Sequence, residues 1–236
     1  MKFYKFGRKF ETDDQLASAQ ITEEEYKMSG LENPLRGHYI WQDPTRVKMD
    51  LVPMYEGRID DTQFGEQLRV RYDLLRKTVS IGTLLRVISP ELKVFLEQFV
   101  LSPHGFYPVE LTHDLTKESR DYYLWHTLNI VTKEVIYPES EFELITKRTK
   151  ELIRTYGKGT FENEDQYTDV VRDELYERRN LLRPIKLYYV QPYEVLPAGV
   201  DDIVISEKVK RAMEAAFPSM EFYEFTDYQI ITGYQA

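Results

Sequence analysis

The stretch Asp202–Phe225, DIVISEKVKRAMEAAFPSMEFYEF, holds a β-branched run that ends in serine, a helical repeat, and an aromatic strand. Val209, Ala212, Met213 and Ala216 fall at i, i+3, i+4 and i+7, the spacing of one buried helical stripe. Ser206 stands directly before that stripe, where its hydroxyl can accept a hydrogen bond from an orphan backbone N–H. An earlier stretch, Leu85–Leu111, LRVISPELKVFLEQFVLSPHGFYPVEL, has the same order. Its stripe is Leu92, Phe95, Leu96 and Phe99, Ser89 is the cap, and Pro90 fits the first helical turn because its missing N–H would be unpaired there. Glu91 and Glu207 sit where the positive helix end favours acids. The pattern predicts a strand–cap–helix–strand module used twice, and capping rather than nucleophilic roles for both serines, since neither has a neighbouring base.

Strands are also expected at Lys2–Phe6, at Leu68–Leu75 with Arg69 and Arg71 on one face, and at Pro184–Val190. Asp121–Ile136 is the longest β-rich segment, with Leu124, Leu128 and Ile130 on its core side. Thr22 followed by EEEYKM reads as a short capped helix, and Gly30–Asp61 as turns and short strands. The composition changes at Lys147–Arg183, which is highly charged and reads helical in two pieces around GKGTFENED, with Tyr167, Val170, Val171 and Leu175 as an apolar stripe. The expectation is a single α+β domain over residues 1–236. Its mixed or antiparallel sheet would carry two similar strand–helix–strand modules, with residues 147–183 as an inserted helical arm.

Charge and composition narrow the function. The chain has no cysteine, which excludes disulfides, a thiol nucleophile and cysteine-based zinc sites, and is compatible with a reducing compartment. Forty acids against 31 bases give a net charge of −9, which disfavours nucleic acid and speeds encounter with a basic protein. No signal peptide and no apolar run of the roughly 20 residues that span a bilayer are present, so a soluble, cytoplasmic protein without a membrane partner is expected.

The segments VISPELKVFLEQF…FYPVEL, YYLWHTLNIV and IVISEKVKRAMEAAF…MEFYEF together resemble a family of bacterial immunity proteins found beside polymorphic toxins. The resemblance covers about residues 68–145 and 183–225 and is one of pattern and order, with no catalytic motif. It implies a small cytoplasmic protein that binds and neutralises a cognate toxin, not an enzyme, and without a cofactor. Two features depart from the family pattern. His126 stands where a Tyr-x-Leu-x-Asn pattern has its Asn, and the charged segment 147–183 is longer than the family core requires. Added surface of that kind is a simple route to discriminating one toxin from its relatives.

Glu162, Glu164, Asp165, Asp169, Asp173 and Glu174, with Glu177 beyond them, are the candidate toxin contacts: an acidic helix face could occupy a basic site. The plainer reading of the same acids is a solvated helix face. Rival acidic patches are Asp13–Asp14, Glu23–Glu25, Asp60–Asp61 and Asp201–Asp202. His38, His104, His113 and His126 have no metal-ligand spacing. His113 with Asp114 is the best local pair, read as an exposed loop histidine beside an acid, or as the centre of an alternative function, a metal-dependent hydrolase. GKGT at 157–160 lacks the glycine of a phosphate loop, since position 152 is Leu, and PELK at 90–93 is a capped helix start rather than half of a nuclease metal site. A third reading is a non-catalytic adaptor without a toxin.

Overall fold

In the computed structural model the described residues are 2–8, 17–21, 47–53, 67–74, 77–80, 85–113, 116–127, 134–198 and 202–235. The first strands are β1 (Phe3–Arg8), β2 (Ala17–Ile21), β3 (Val47–Pro53), β4 (Gln67–Leu74), β5 (Lys77–Ser80) and β6 (Leu85–Ile88). Helix α1 (Pro90–Leu96) leads to β7 (His104–His113), β8 (Ser119–Thr127), β9 (Glu141–Thr146) and β10 (Leu152–Tyr156). Then come α2 (Glu164–Arg172), β11 (Asn180–Tyr188), β12 (Val195–Ala198), β13 (Asp202–Ser206), α3 (Glu207–Ala216), β14 (Met220–Glu224) and β15 (Gln229–Ile231). The protein is α+β, with mixed sheets. Among the described residues no helix is long and apolar enough to cross a membrane.

The largest sheet runs β2-β3-β7-β8-β6-β4, and β4 pairs back onto β2, so the sheet closes on itself. Strand β5 continues β6 along the same edge of β4. Closure gives each of the six ring strands a neighbour on both edges, and β5 alone, paired only with β4, ends the sheet among the described residues. Strand alternation then separates two environments. Tyr107, Val109 and Leu111 of β7 are buried on the same face as Leu124 and Tyr122, the cross-strand partners of the first two, and this is the face turned inside the barrel. Phe106, Tyr123 and Trp125 lie on the outer face, against the helices. Gly105 is required by a close approach: a Cβ there would lie 2.5 Å from the Tyr107 hydroxyl and 2.7 Å from its ring.

Both helices begin as the serines dictate. The Ser89 hydroxyl accepts from the Leu92 N–H at 3.2 Å and that of Ser206 from the Val209 N–H at 3.4 Å. Leu92, Leu96, Val209 and Met213 are fully buried. The stripes are shorter than their spacing predicts, because Phe99 lies beyond the end of α1 and Ala216 is exposed at the end of α3. In each segment the flanking strands are parallel and a third strand lies antiparallel between them, β8 between β6 and β7, and β1 between β13 and β14. The helices share one core, where Phe95 meets Phe217 edge-on with ring centroids 5.3 Å apart.

The sheet β12-β13-β1-β14 forms a wall between two cores. On β13, Ile203 and Ile205 face α1 and α3, while Val204 faces a second core with Phe3, Leu196, Phe142, Leu144 and Leu182. This burial on both sides explains why the strand reads as a continuous apolar run without alternation. The second core is closed by the sheet β10-β9-β11-β15 and by α2, whose Tyr167, Val170 and Val171 pack against it.

The helical arm expected over residues 147–183 is corrected by these strands. Leu152–Tyr156 is β10 and Asn180–Tyr188 is β11, so the segment is strand at both ends and helical only over 164–177. The helix expected after Thr22, Leu128, Ile130 and the acids at 13–14, 23–25 and 60–61 fall outside the described residues. Asp202 is used within the fold, pairing with Lys5 at 2.7 Å.

Candidate functional site

Helix α2 is set by its cap. The Asn163 side chain accepts from the Gln166 N–H at 3.0 Å, and the Gln166 side-chain oxygen reaches back to the Glu162 N–H at 2.9 Å, a reciprocal arrangement of the capping-box kind. Glu164 and Asp165 fall in the first turn and Arg172 in the last, matching the helix dipole. The helix then widens into one π turn over Asp173–Glu177, a feature frequent at functional sites.

Helical geometry sorts the six candidate acids into two groups. Tyr167, Val170, Val171 and Glu174 form the inward row at i, i+3, i+4 and i+7. Glu174 is therefore buried, and its carboxylate accepts from the Arg178 guanidinium at 2.7 Å and from the Asn180 amide at 2.8 Å. Paired in this way it joins the π turn to β11 and is occupied within the fold. Glu164 is half-buried near Tyr137, whose hydroxyl pKa is raised by burial first and by that carboxylate second. Burial likewise pushes Tyr167 up to about 12.

Glu162, Asp165, Asp169 and Asp173 are exposed. The three aspartates repeat every four residues and form one outer row. Arg172 offsets part of it, lying 3.4 Å from Asp169. Tyr176 continues beyond the row with 78% of its surface exposed, and Glu177 follows it, also exposed. A large aromatic side chain left in water beside a row of acids is the feature that acid counting in the sequence passed over. The signal was present in the spacing, since Tyr176 stands at i+7 from Asp169 and three residues beyond Asp173.

Two of the histidines, His104 and His113, are engaged by hydrogen bonds within the fold. His113 is buried at the end of β7, a correction to its reading as an exposed loop residue, and its Nδ1 accepts from the Thr116 N–H at 3.3 Å in the turn to β8. Asp114 lies outside the described residues, as does His38. His104 is half-buried, with Nδ1 2.8 Å from the Ser102 carbonyl oxygen. His126 is buried on β8, with no hydrogen-bond partner for its Nδ1 among the described residues, and burial lowers its pKa. Among the described residues no three His, Asp or Glu side chains gather as metal ligands. In GKGT, Gly159 takes the left-handed conformation at φ 75° and the Thr160 hydroxyl donates to the Gly157 carbonyl, while Lys158 pairs with Glu139, so the motif builds a turn. In PELK, Lys93 pairs with Glu97 and lies over the Phe106 and Tyr123 rings.

No protein-family model and no curated protein matches the chain.

Proposed function

We propose that the chain is an immunity protein, which neutralises a bacterial toxin by binding it one to one and covering its active site. The single observation that carries this reading is the outer face of α2, where Asp165, Asp169 and Asp173 form an exposed row that leads to the exposed Tyr176. Acids of one sign accelerate approach to a basic surface, and tyrosine is among the residues that dominate binding energy once desolvated in a partner's pocket. The pattern of the Ser89 and Ser206 segments, with its resemblance to immunity proteins, supports the same reading. Glu162 lies at the edge of this face, and Glu164 and Glu174 contribute to its support rather than to contact.

The test is co-expression with the protein encoded beside this chain, scoring host survival and co-elution on a sizing column. Protection with a stable complex is the expected result, and a folded protein that gives neither removes the proposal. Given a complex, replacing Asp165, Asp169 and Asp173 by Lys slows association by at least about tenfold at low salt and flattens its salt dependence. Tyr176→Ala raises the dissociation rate instead, and neither change alters the melting temperature by more than a few degrees. Unchanged association in the triple variant moves the contact away from this helix.

A further inference from the structure

A second exposed surface has the opposite character. The hairpin joining β9 to β10 and the turn leading into β11 lie side by side, linked by a hydrogen bond from the Lys147 N–H to the Arg179 carbonyl. Every residue from 147 to 155 is exposed, so the hairpin tip stands clear of the body. It carries Lys147, Arg148, Lys150 and Arg154 against one acid, Glu151, in a chain whose net charge is −9. Lys147, Arg148, Lys150 and Arg179 make no ion pair with a described residue. Lys150 at φ 62° and Arg179 at φ 56° occupy left-handed positions, where glycine or asparagine is favoured. The tip is nonetheless held, because Thr146 bonds to Thr149 and to the Glu151 N–H, and Thr149 bonds to Glu151 in turn.

Next to these cations are two aliphatic side chains in water. Leu152 is 60% exposed and Ile153 48%, and the pairing of β10 with β9 shifts register between Leu152 and Arg154, leaving Ile153 as the extra residue. Such bulges re-aim side chains at sheet edges. Bulge and Arg154 are also devices that blunt an edge strand against pairing with another chain, yet edge protection does not call for an exposed Leu–Ile pair.

We propose that this tip, through Lys147, Arg148, Lys150, Arg179, Leu152 and Ile153, docks on the surface of an anionic lipid bilayer. The cations meet the phosphate headgroups while the aliphatic pair enters the boundary between headgroups and acyl chains. A protruding tip suits a planar layer, whereas an acidic peptide needs a groove. Nucleic acid would be gripped by the same charges but would gain little from Leu152 and Ile153, since single strands are held by stacking on aromatic rings. Surface docking requires no membrane-spanning segment. The proposal is independent of toxin binding.

The test is co-sedimentation of the full chain with vesicles of phosphatidylcholine alone and of phosphatidylcholine with an equal part of phosphatidylglycerol. Binding is expected only to the anionic vesicles and weakens as salt rises. Replacing Lys147, Arg148 and Lys150 by Gln lowers the partition coefficient roughly fivefold per cation, about a hundredfold together. Leu152→Ser with Ile153→Ser lowers it by at least about tenfold with every charge retained. All five substitutions are at exposed sites, and circular dichroism confirms that the variants fold. A single-stranded oligonucleotide, followed by fluorescence anisotropy, is the second probe. No preference for anionic vesicles, vesicle binding that survives either set of substitutions, or binding to the oligonucleotide alone overturns the proposal.

Discussion

At the scale of single residues, His126 shows how the burial of one side chain becomes a measurable property. It stands on β8 opposite Gly105, beneath whose bare backbone face the Tyr107 ring has room to lie. Burial disfavours the imidazolium there, so the folded chain takes up this proton at a lower pH than the ordinary value of about 6.5. Above about pH 6.5 both states are neutral at this position and His126 has no effect on the pH dependence of stability. Below it the unfolded chain binds the proton first, so stability falls as pH falls from about 6.5 toward the folded value, by up to about 1.4 kcal/mol per pH unit. Urea denaturation of His126→Leu against the parent between pH 7.5 and 5 is expected to remove that contribution from the slope. Equal slopes in both proteins would mean that His126 is protonated alike in the folded and unfolded states. The histidine itself was legible in the sequence, but its burial was not, since nothing in YYLWHT marks which face of β8 is turned inside a closed barrel.

At the scale of elements, the sequence was most legible where a local hydrogen bond sets a boundary. Ser89 and Ser206 each satisfy one orphan N–H at the start of a helix, and that bond is visible in the residue order before any tertiary contact is known. Removing either hydroxyl with Ser→Ala is expected to cost about 1 kcal/mol in chemical denaturation, whereas Ser→Gly costs only a few tenths. The double variant Ser89→Ala with Ser206→Ala is expected to lose the sum of the two to within about 0.5 kcal/mol, because the two caps share no partner. Losses below about 0.3 kcal/mol in both single alanine variants would show that water replaces the hydroxyls without penalty. Strand β10 was misread for the converse reason. Four of its five residues are exposed, so it has no alternation to announce it, and the charged run KRTKELIR matches helix composition equally well. The acids of α2 were visible as a cluster, but their division into a buried Glu174 and an outer aspartate row depends on which side of the helix meets the Phe142 core.

At the scale of the whole molecule, the deciding contacts are far apart in sequence, which is why barrel closure and the shared wall could not be read from local pattern. Strand β1, from the start of the chain, completes a sheet with β13 and β14 near its end, and that sheet serves both cores. On β13, neighbouring residues point opposite ways: Ile205 into the helical core that contains Trp125, Val204 into the core under α2. A strand cannot detach from one core and stay in register for the other, so the two cores are expected to unfold together. Trp125 reports on the helical core, and in a Trp41→Phe background it is the only tryptophan. Ile205→Ala removes contacts on its own side and is expected to lower the midpoint of the Trp125 fluorescence transition by the equivalent of about 2–5 kcal/mol. Val204→Ala touches only the opposite core, yet it is expected to lower the same midpoint, and by the same amount as in far-ultraviolet circular dichroism. If Val204→Ala shifts the dichroism curve and leaves the Trp125 transition in place, the wall does not couple the cores and each folds on its own side of the sheet.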